Sequence, residues 1–226
     1  MSACCHDYGA VAGGQFTDEI AERDRKRYKR KGPNPTTRLL RNMVLRAGGG
    51  RTLLDVGGGV GALCFELLAA GFEQATIVDA SPAYLKAARN ESQQRGEAVR
   101  MTLVEGDFVS AGSGVPSADV VAMDRVICCY PQLEPLLDEA FRHSSRVCAL
   151  SFPRNLWHIR LVVALQNAVR AMSRNAFRVY LHPAKSIEAL AAKHGFQCTE
   201  HGGTFVWSVR TYVRHDTGSA ESEGSA

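Results

Sequence analysis

From Thr52 to Cys64 the chain reads Thr-Leu-Leu-Asp-Val-Gly-Gly-Gly-Val-Gly-Ala-Leu-Cys. An apolar run enters a cluster of four glycines (Gly57, Gly58, Gly59 and Gly61), and apolar residues at helical spacing leave it. Few folds accommodate that order. Glycine allows a tight strand-to-helix turn and lets a ligand approach the backbone closely. The N-terminus of the helix that follows favours anionic or electron-rich groups. Val60, Leu63, Cys64, Leu67 and Leu68 repeat at helical spacing, and Gly71 closes the helix. Gly57-x-Gly59-x-x-Ala62 also satisfies the dinucleotide fingerprint. A ligand-free tight turn would use the same glycines, so the loop gains its meaning from its company.

Downstream, strand and helix patterns alternate. Strands are expected at Ala75–Asp79, Val99–Val104, Ala118–Met123 and Arg146–Phe152, after a first at Thr52–Val56. Helices are expected from Ser81-Pro82, over Pro131–Phe141, over Leu156–Met172 and over Ser186–His194. Two last strands, Phe196–Glu200 and Thr204–Val213, meet at Gly202-Gly203 and should be antiparallel. In the second of them Phe205, Trp207, Val209, Thr211 and Val213 share one face. Such alternation predicts an α/β fold: a Rossmann-like, seven-stranded, mostly parallel sheet with an antiparallel closing strand. Ligands of such sheets sit at the carboxyl ends of the strands.

Ahead of the sheet, Thr17 can cap a helix running to Lys31, and Gly32-Pro33 stops it. Asn34-Pro35 restarts a helix with Leu39, Leu40, Met43 and Val44 on one face. The expected organisation is a mobile segment and helical cap over residues 1–50, the main domain over 51–214, and a disordered Ser/Gly/Glu/Ala-rich tail over 215–226.

A chain of 226 residues with 45% hydrophobic and 22% charged residues suits one globular domain. The longest strongly apolar run, Leu161–Leu165, is far short of the roughly 20 residues of a membrane span. The first 30 residues lack the apolar core of a signal peptide, and the seven cysteines are an odd number, several inside apolar patterns. Both points lead to a reduced, cytoplasmic protein as the expectation. A net charge of +4 is too mild to imply nucleic acid. The basic run Arg23–Lys31 reads as a solvated helix face, or as a lid with Tyr28 turned inward.

Acids stand where a ligand of the glycine loop would meet them. Asp79 ends the second strand, Gly106-Asp107-Phe108 follows the third, and Asp124 ends the fourth, before Arg125-Val126-Ile127-Cys128-Cys129-Tyr130-Pro131. The series Asp55…Gly57-x-Gly59-x-Gly61, Asp79, Gly106-Asp107-Phe108, Asp124 resembles class I S-adenosylmethionine-dependent methyltransferases over about residues 51–154. The segments Asp124–Pro131 and Ser151-Phe152-Pro153-Arg154 are similar to the branch around magnesium-protoporphyrin O-methyltransferase and its bacterial relatives, whose helical cap carries a tyrosine that Tyr28 could match. The Cys128-Cys129 pair departs from the porphyrin enzymes, which leaves the acceptor open.

The resemblance implies S-adenosylmethionine as cofactor and assigns roles. Gly57, Gly59 and Gly61 would pass beneath its methionine and ribose, with Asp55 supporting the loop or reaching the amino group through water. Asp79, beside Ala80, would hold the ribose hydroxyls, and Gly106, Asp107 and Phe108 would frame the adenine. Asp124 and Arg125 would line the methionine end and face the acceptor. Alternatives are methylation of RNA or protein, a cofactor-binding module without catalysis, and a nicotinamide oxidoreductase.

A sulfonium methyl is already activated, so alignment and exclusion of water dominate its transfer. A carboxylate acceptor needs only cationic steering, for which Arg125, Arg154 and Arg160 are candidates. An acceptor that carries a proton wants a base, for which Tyr130 or His182 is available. The expected acceptor is a small molecule methylated at oxygen, with apolar character that Trp157 and the stripe of the Leu156–Met172 helix would suit. Cys128-Cys129 reads as pocket packing, with thiol chemistry the alternative. No metal site is expected, because Cys4-Cys5-His6 lacks the paired spacing of a zinc site.

Overall fold

The computed structural model describes Val11, residues 14–111 and residues 114–215. Expectations for Cys4-Cys5-His6 and for the tail beyond His215 lie outside the described residues. Two helices, α1 (Asp18–Lys31) and α2 (Pro35–Arg46), precede the sheet. There follow β1 (Thr52–Val56), α3 (Ala62–Ala69), β2 (Gln74–Asp79), α4 (Pro82–Arg95), β3 (Met101–Glu105), the short α5 (Phe108–Ala111), β4 (Ala118–Asp124), α6 (Leu133–His143), β5 (Ser144–Pro153), α7 (Trp157–Met172), α8 (Ala184–Lys193), β6 (Phe196–Gly203) and β7 (Trp207–Arg214).

The seven strands form one sheet in the order β3-β2-β1-β4-β5-β7-β6. The first five are parallel, and β7 inserts antiparallel between β5 and β6. The chain winds outward from β1 through β2 to β3, then returns to start β4 on the other side of β1. That reversal opens a crevice between the ends of β1 and β4, where ligands of open α/β sheets bind. Gly57 and Asp124 flank it.

Period-two alternation sends neighbouring residues to opposite faces. Leu53, Ile77, Val120 and Ala149 pack with α2, α3 and α4, whereas Leu54, Val78, Val121 and Leu150 pack with α6 and α8. Asp55 lies on the first of these faces and is 1% exposed.

Caps are resolved as local chemistry. The Asn34 side chain accepts the N–H groups of Thr36 and Thr37, with Pro35 at the first helical position. Ser81 Oγ accepts the Tyr84 N–H, again followed by proline. Thr17 precedes α1, but its side chain makes no capping bond. The expected closing turn also shifts: Gly202 and Gly203 finish β6, and residues 204–206 make the turn. Phe205 therefore sits in that turn, exposed, instead of on the buried face of β7. The five described cysteines are free thiols.

Candidate active site

A cavity of about 500 Å³ opens at the β1/β4 crevice. Its floor is the glycine loop. Gly57 has φ 64°, and a Cβ there would come within 2.5 Å of Val126 Cγ2. Only glycine fits both the left-handed backbone and that approach. Gly59 is held differently, its N–H donating to Asp79 Oδ2 at 2.9 Å. The other carboxylate oxygen of Asp79 accepts the Ser81 N–H at 2.8 Å, so one side chain joins the glycine loop to the β2–α4 turn. Burial pushes Asp79 up to about 6 despite these two bonds.

Asp55 lies beneath the loop. Burial pushes it up to about 8, the Cys64 thiol bond opposing the rise and the carboxylates of Asp124 and Asp79 adding to it. Cys64 Sγ donates to its Oδ2 at 3.4 Å, while Oδ1 is buried with no protein partner. A buried acceptor left open on the lining of a cavity suits a ligand donor or a water.

Across the crevice, Asp124 takes two hydroxyl bonds, from Thr37 at 2.5 Å and Ser151 at 2.6 Å. Ser151 is the register partner of Asp124 on β5. Its Oγ also accepts the N–H of Arg125 at 2.8 Å. Arg125 holds a left-handed φ of 65°, uncommon for a residue with a side chain. Its guanidinium lines the cavity beside Asp124, Nε to Oδ1 at 3.7 Å.

The cap closes the opposite wall. Phe16, Arg23, Asp24, Arg27 and Tyr28 line the cavity. Tyr84 donates to Asp24 at 2.8 Å, and Ser81 Oγ donates to the Phe16 carbonyl at 2.9 Å. Tyr28 is buried, stacks on Phe65 at 6.2 Å, lies under Arg95, and donates to Glu66 at 3.1 Å. Arg25 pairs with Glu22 and with the buried Glu91. Part of the basic run therefore anchors α1 on the domain, and Arg23 and Arg27 face the cavity.

Of the site residues expected from sequence, Asp55, Gly57, Gly59, Asp79, Ala80, Gly106, Phe108, Asp124, Arg125, Tyr130 and Tyr28 line the cavity. Gly61, Asp107 and His182 do not. Gly61 is the left-handed N-cap of α3, packed against Phe65 and Ile77. Asp107 accepts the Tyr130 hydroxyl on Oδ1 and the Ser110 hydroxyl on Oδ2. His182 Nε2 lies 2.9 Å from the Tyr130 carbonyl. A carbonyl only accepts, so Nε2 is the donor in this contact. His182 fixes the Tyr130 backbone instead.

Arg154 and Arg160 are exposed and away from the cavity. The apolar stripe of α7 is a correction as well. Trp157 is 77% exposed and α7 buries only Ile159, so the stripe is neither pocket wall nor core. The helix reaches the cavity instead through Arg170, whose Nη1 is buried without a hydrogen-bond partner. Arg170, Thr37, Ser151 and Trp207 are not among the site residues expected from the sequence. Ser151 alone carried a signal, at the end of a strand beside the one that ends in Asp124.

The fit to S-adenosylmethionine can be tested on these residues. The volume lies within the range of roughly 300–1,000 Å³ of small-molecule sites. Acids and cations both line it, as a ligand with an ammonium, a sulfonium and a carboxylate requires. The glycine floor and the open Asp55 oxygen add a cradle and an acceptor.

Residues 54–146 match the family described as "Methyltransferase domain". No curated protein sequence matches the chain. Among solved structures, magnesium protoporphyrin IX methyltransferase from Synechocystis PCC 6803 with bound S-adenosylhomocysteine is similar at TM-score 0.73 and 18% identity, over 91% of this chain and 99% of that one. The same enzyme with bound S-adenosylmethionine gives TM-score 0.68 and 18% identity, over 95% and 100%. An O-methyltransferase family protein from Burkholderia thailandensis gives 0.66 and 16%, over 90% and 62%. The chain carries a methyltransferase domain over residues 54–146, on a Rossmann-like sheet shared with structures of S-adenosylmethionine-dependent methyltransferases.

Proposed function

We propose that the protein transfers the methyl group to an oxygen of a small-molecule acceptor, a carboxylate or a hydroxyl, held beside Arg125 and Tyr130. The observation that carries this reading is the covered cavity. Its floor is the glycine loop, and its roof is built from Phe16 and α1, pinned through Asp24 and Tyr28. A polymer would have to displace that roof, whereas a small molecule fits beneath it.

In this reading Asp79 takes the ribose hydroxyls, Gly57 and Gly59 lie under the cofactor, and Asp55 and Asp124 receive its amino group. Bound S-adenosylmethionine supplies an electrophilic methyl. The chain's own residues orient the acceptor and exclude water. Arg125 and Arg170, both facing the cavity, hold acceptor anionic charge. An acceptor carboxylate needs no base. An acceptor hydroxyl passes its proton to Tyr130 Oη as the phenol proton moves to Asp107 Oδ1, along the hydrogen bond already present.

The test is transfer of label from methyl-labelled S-adenosylmethionine to fractionated lysate. The expected result is label in the small-molecule fraction. Release of labelled methanol by mild alkali identifies a carboxyl ester, and alkali-stable label an ether. Label confined to RNA or protein overturns the proposal.

A further inference from the structure

We propose that the exposed face of α7 docks the protein on the surface of an anionic lipid bilayer. This helix is unusual in its exposure. Trp157, Leu161, Val162, Leu165, Val169 and Met172 all face solvent, Trp157 at 77% and Met172 at 80% exposure. On a helical projection they fall within one arc of about 140°, which also holds His158 and leaves out the buried Ile159. Phe205, 75% exposed in the β6–β7 turn, extends the patch, its ring 5.3 Å from His158 and stacked on it. Contiguous apolar surface on this scale marks an interaction site.

Charge decides the occupant. Residues 154–178 contain five arginines (Arg154, Arg160, Arg170, Arg174 and Arg178) and no aspartate or glutamate. Arg154 precedes α7, Arg160 lies in its first turn and Arg174 follows it, all three exposed. By contrast, Arg46 meets Glu200 and Arg51 meets Glu73. An apolar face with an aromatic residue, on a helix flanked by exposed arginines in a stretch without acids, is the pattern of a helix lying in a membrane interface. A second copy packed through the same face would bring these arginines against one another, a repulsive arrangement. Among the described residues no helix is long and apolar enough to cross a membrane, so the contact lies on the surface.

The experiment is flotation of the full chain with vesicles of phosphatidylcholine alone, and of phosphatidylcholine with roughly one third phosphatidylglycerol. It reads binding without turnover, so its outcome is independent of the acceptor. We expect recovery with the anionic vesicles and little with the neutral ones. The double variant Leu161→Glu/Leu165→Glu should lose roughly tenfold or more of that binding. Arg160→Gln/Arg174→Gln should fall to the level seen with neutral vesicles. Both variants should keep S-adenosylhomocysteine affinity, since none of the four side chains lines the cavity. Absence of vesicle binding overturns the proposal, as does undiminished binding by the leucine variant. Light scattering that shows a wild-type dimer and a monomeric leucine variant assigns the face to a second copy, and overturns it too.

Discussion

The carboxylate of Asp79 accepts the Gly59 N–H at 2.9 Å through one oxygen and the Ser81 N–H at 2.8 Å through the other. One side chain thus sets the distance between the glycine loop and the β2–α4 turn. The arrangement opposes stability in the cofactor-free protein, because burial raises this group from 3.8 to about 6. Between those values the folded state binds more proton than the unfolded state, so stability falls as pH rises through that window and is flat above it.

Asp79→Asn removes that slope. It also forfeits one of the two accepting oxygens, which costs about 1 kcal/mol. Against a penalty on the order of 3 kcal/mol for a shift of about two units, the variant should be more stable than wild type at pH 7 and show little gain at pH 4. Urea melts across that range read the difference. The same substitution should weaken S-adenosylhomocysteine binding by roughly 1–3 kcal/mol, as bonds to a charged acceptor are lost. A calorimetric titration showing unchanged affinity would remove Asp79 from the ribose site.

Tyr130 offers a test of the acceptor atom. Its hydroxyl donates to Asp107, and its backbone carbonyl is fixed by His182. Tyr130→Phe keeps the ring and deletes only the proton path. With a hydroxyl acceptor, kcat should drop by roughly 10²-fold or more. With a carboxylate acceptor it should stay near wild type, and cofactor affinity should hold in both cases. Steady-state kinetics on the identified acceptor separates the two chemistries. A large loss of cofactor affinity would show that Tyr130 supports the cofactor instead.

Much of this site was legible in the sequence because strand ends and glycines leave strong local signals. Gly57, Asp79 and Asp124 each follow directly from where an apolar run stops. What stayed hidden depends on distant pairing. Thr37 reaches Asp124 from a helix 87 positions earlier, and no spacing announces that. Asp107 belongs to a Gly-Asp-Phe motif, yet the Tyr130 hydroxyl draws its carboxylate out of the cavity lining. The stripe of α7 misled for a physical reason. An apolar arc at helical period looks the same whether it faces a core or another phase, and only the position of Ile159 shows which side the domain takes.

Arg125 combines function with strain. A left-handed φ of 65° on a non-glycine residue costs on the order of 1–3 kcal/mol. The conformation directs the N–H to Ser151 and the guanidinium into the cavity. Arg125→Gly should therefore raise the melting temperature of the cofactor-free protein slightly. It should also raise the acceptor KM by about 10- to 100-fold, in line with the roughly 1.5–3 kcal/mol of a lost bond to a charged group. S-adenosylhomocysteine affinity should change little. Thermal melts with acceptor kinetics check both halves, and a variant that is less stable with unchanged KM would contradict the assignment.

Gly57 allows steric exclusion to be separated from backbone strain. Gly57 and Gly96 have similar positive φ, 64° and 73°. A Cβ at Gly96 meets nothing within 4 Å, whereas one at Gly57 lies 2.5 Å from Val126 Cγ2. Gly96→Ala should thus cost only the left-handed strain, about 1–2 kcal/mol. Gly57→Ala carries the same strain and must also push Val126 toward the cavity, with overpacking worth typically 1–3 kcal/mol more. Its cofactor affinity should fall at least tenfold, while Gly96→Ala keeps wild-type affinity because that glycine caps α4 away from the cavity. Paired urea melts and S-adenosylhomocysteine titrations read both effects. Equal destabilisation by the two variants, with cofactor binding intact in each, would mean that Val126 yields freely and that the loop does not require glycine for close approach.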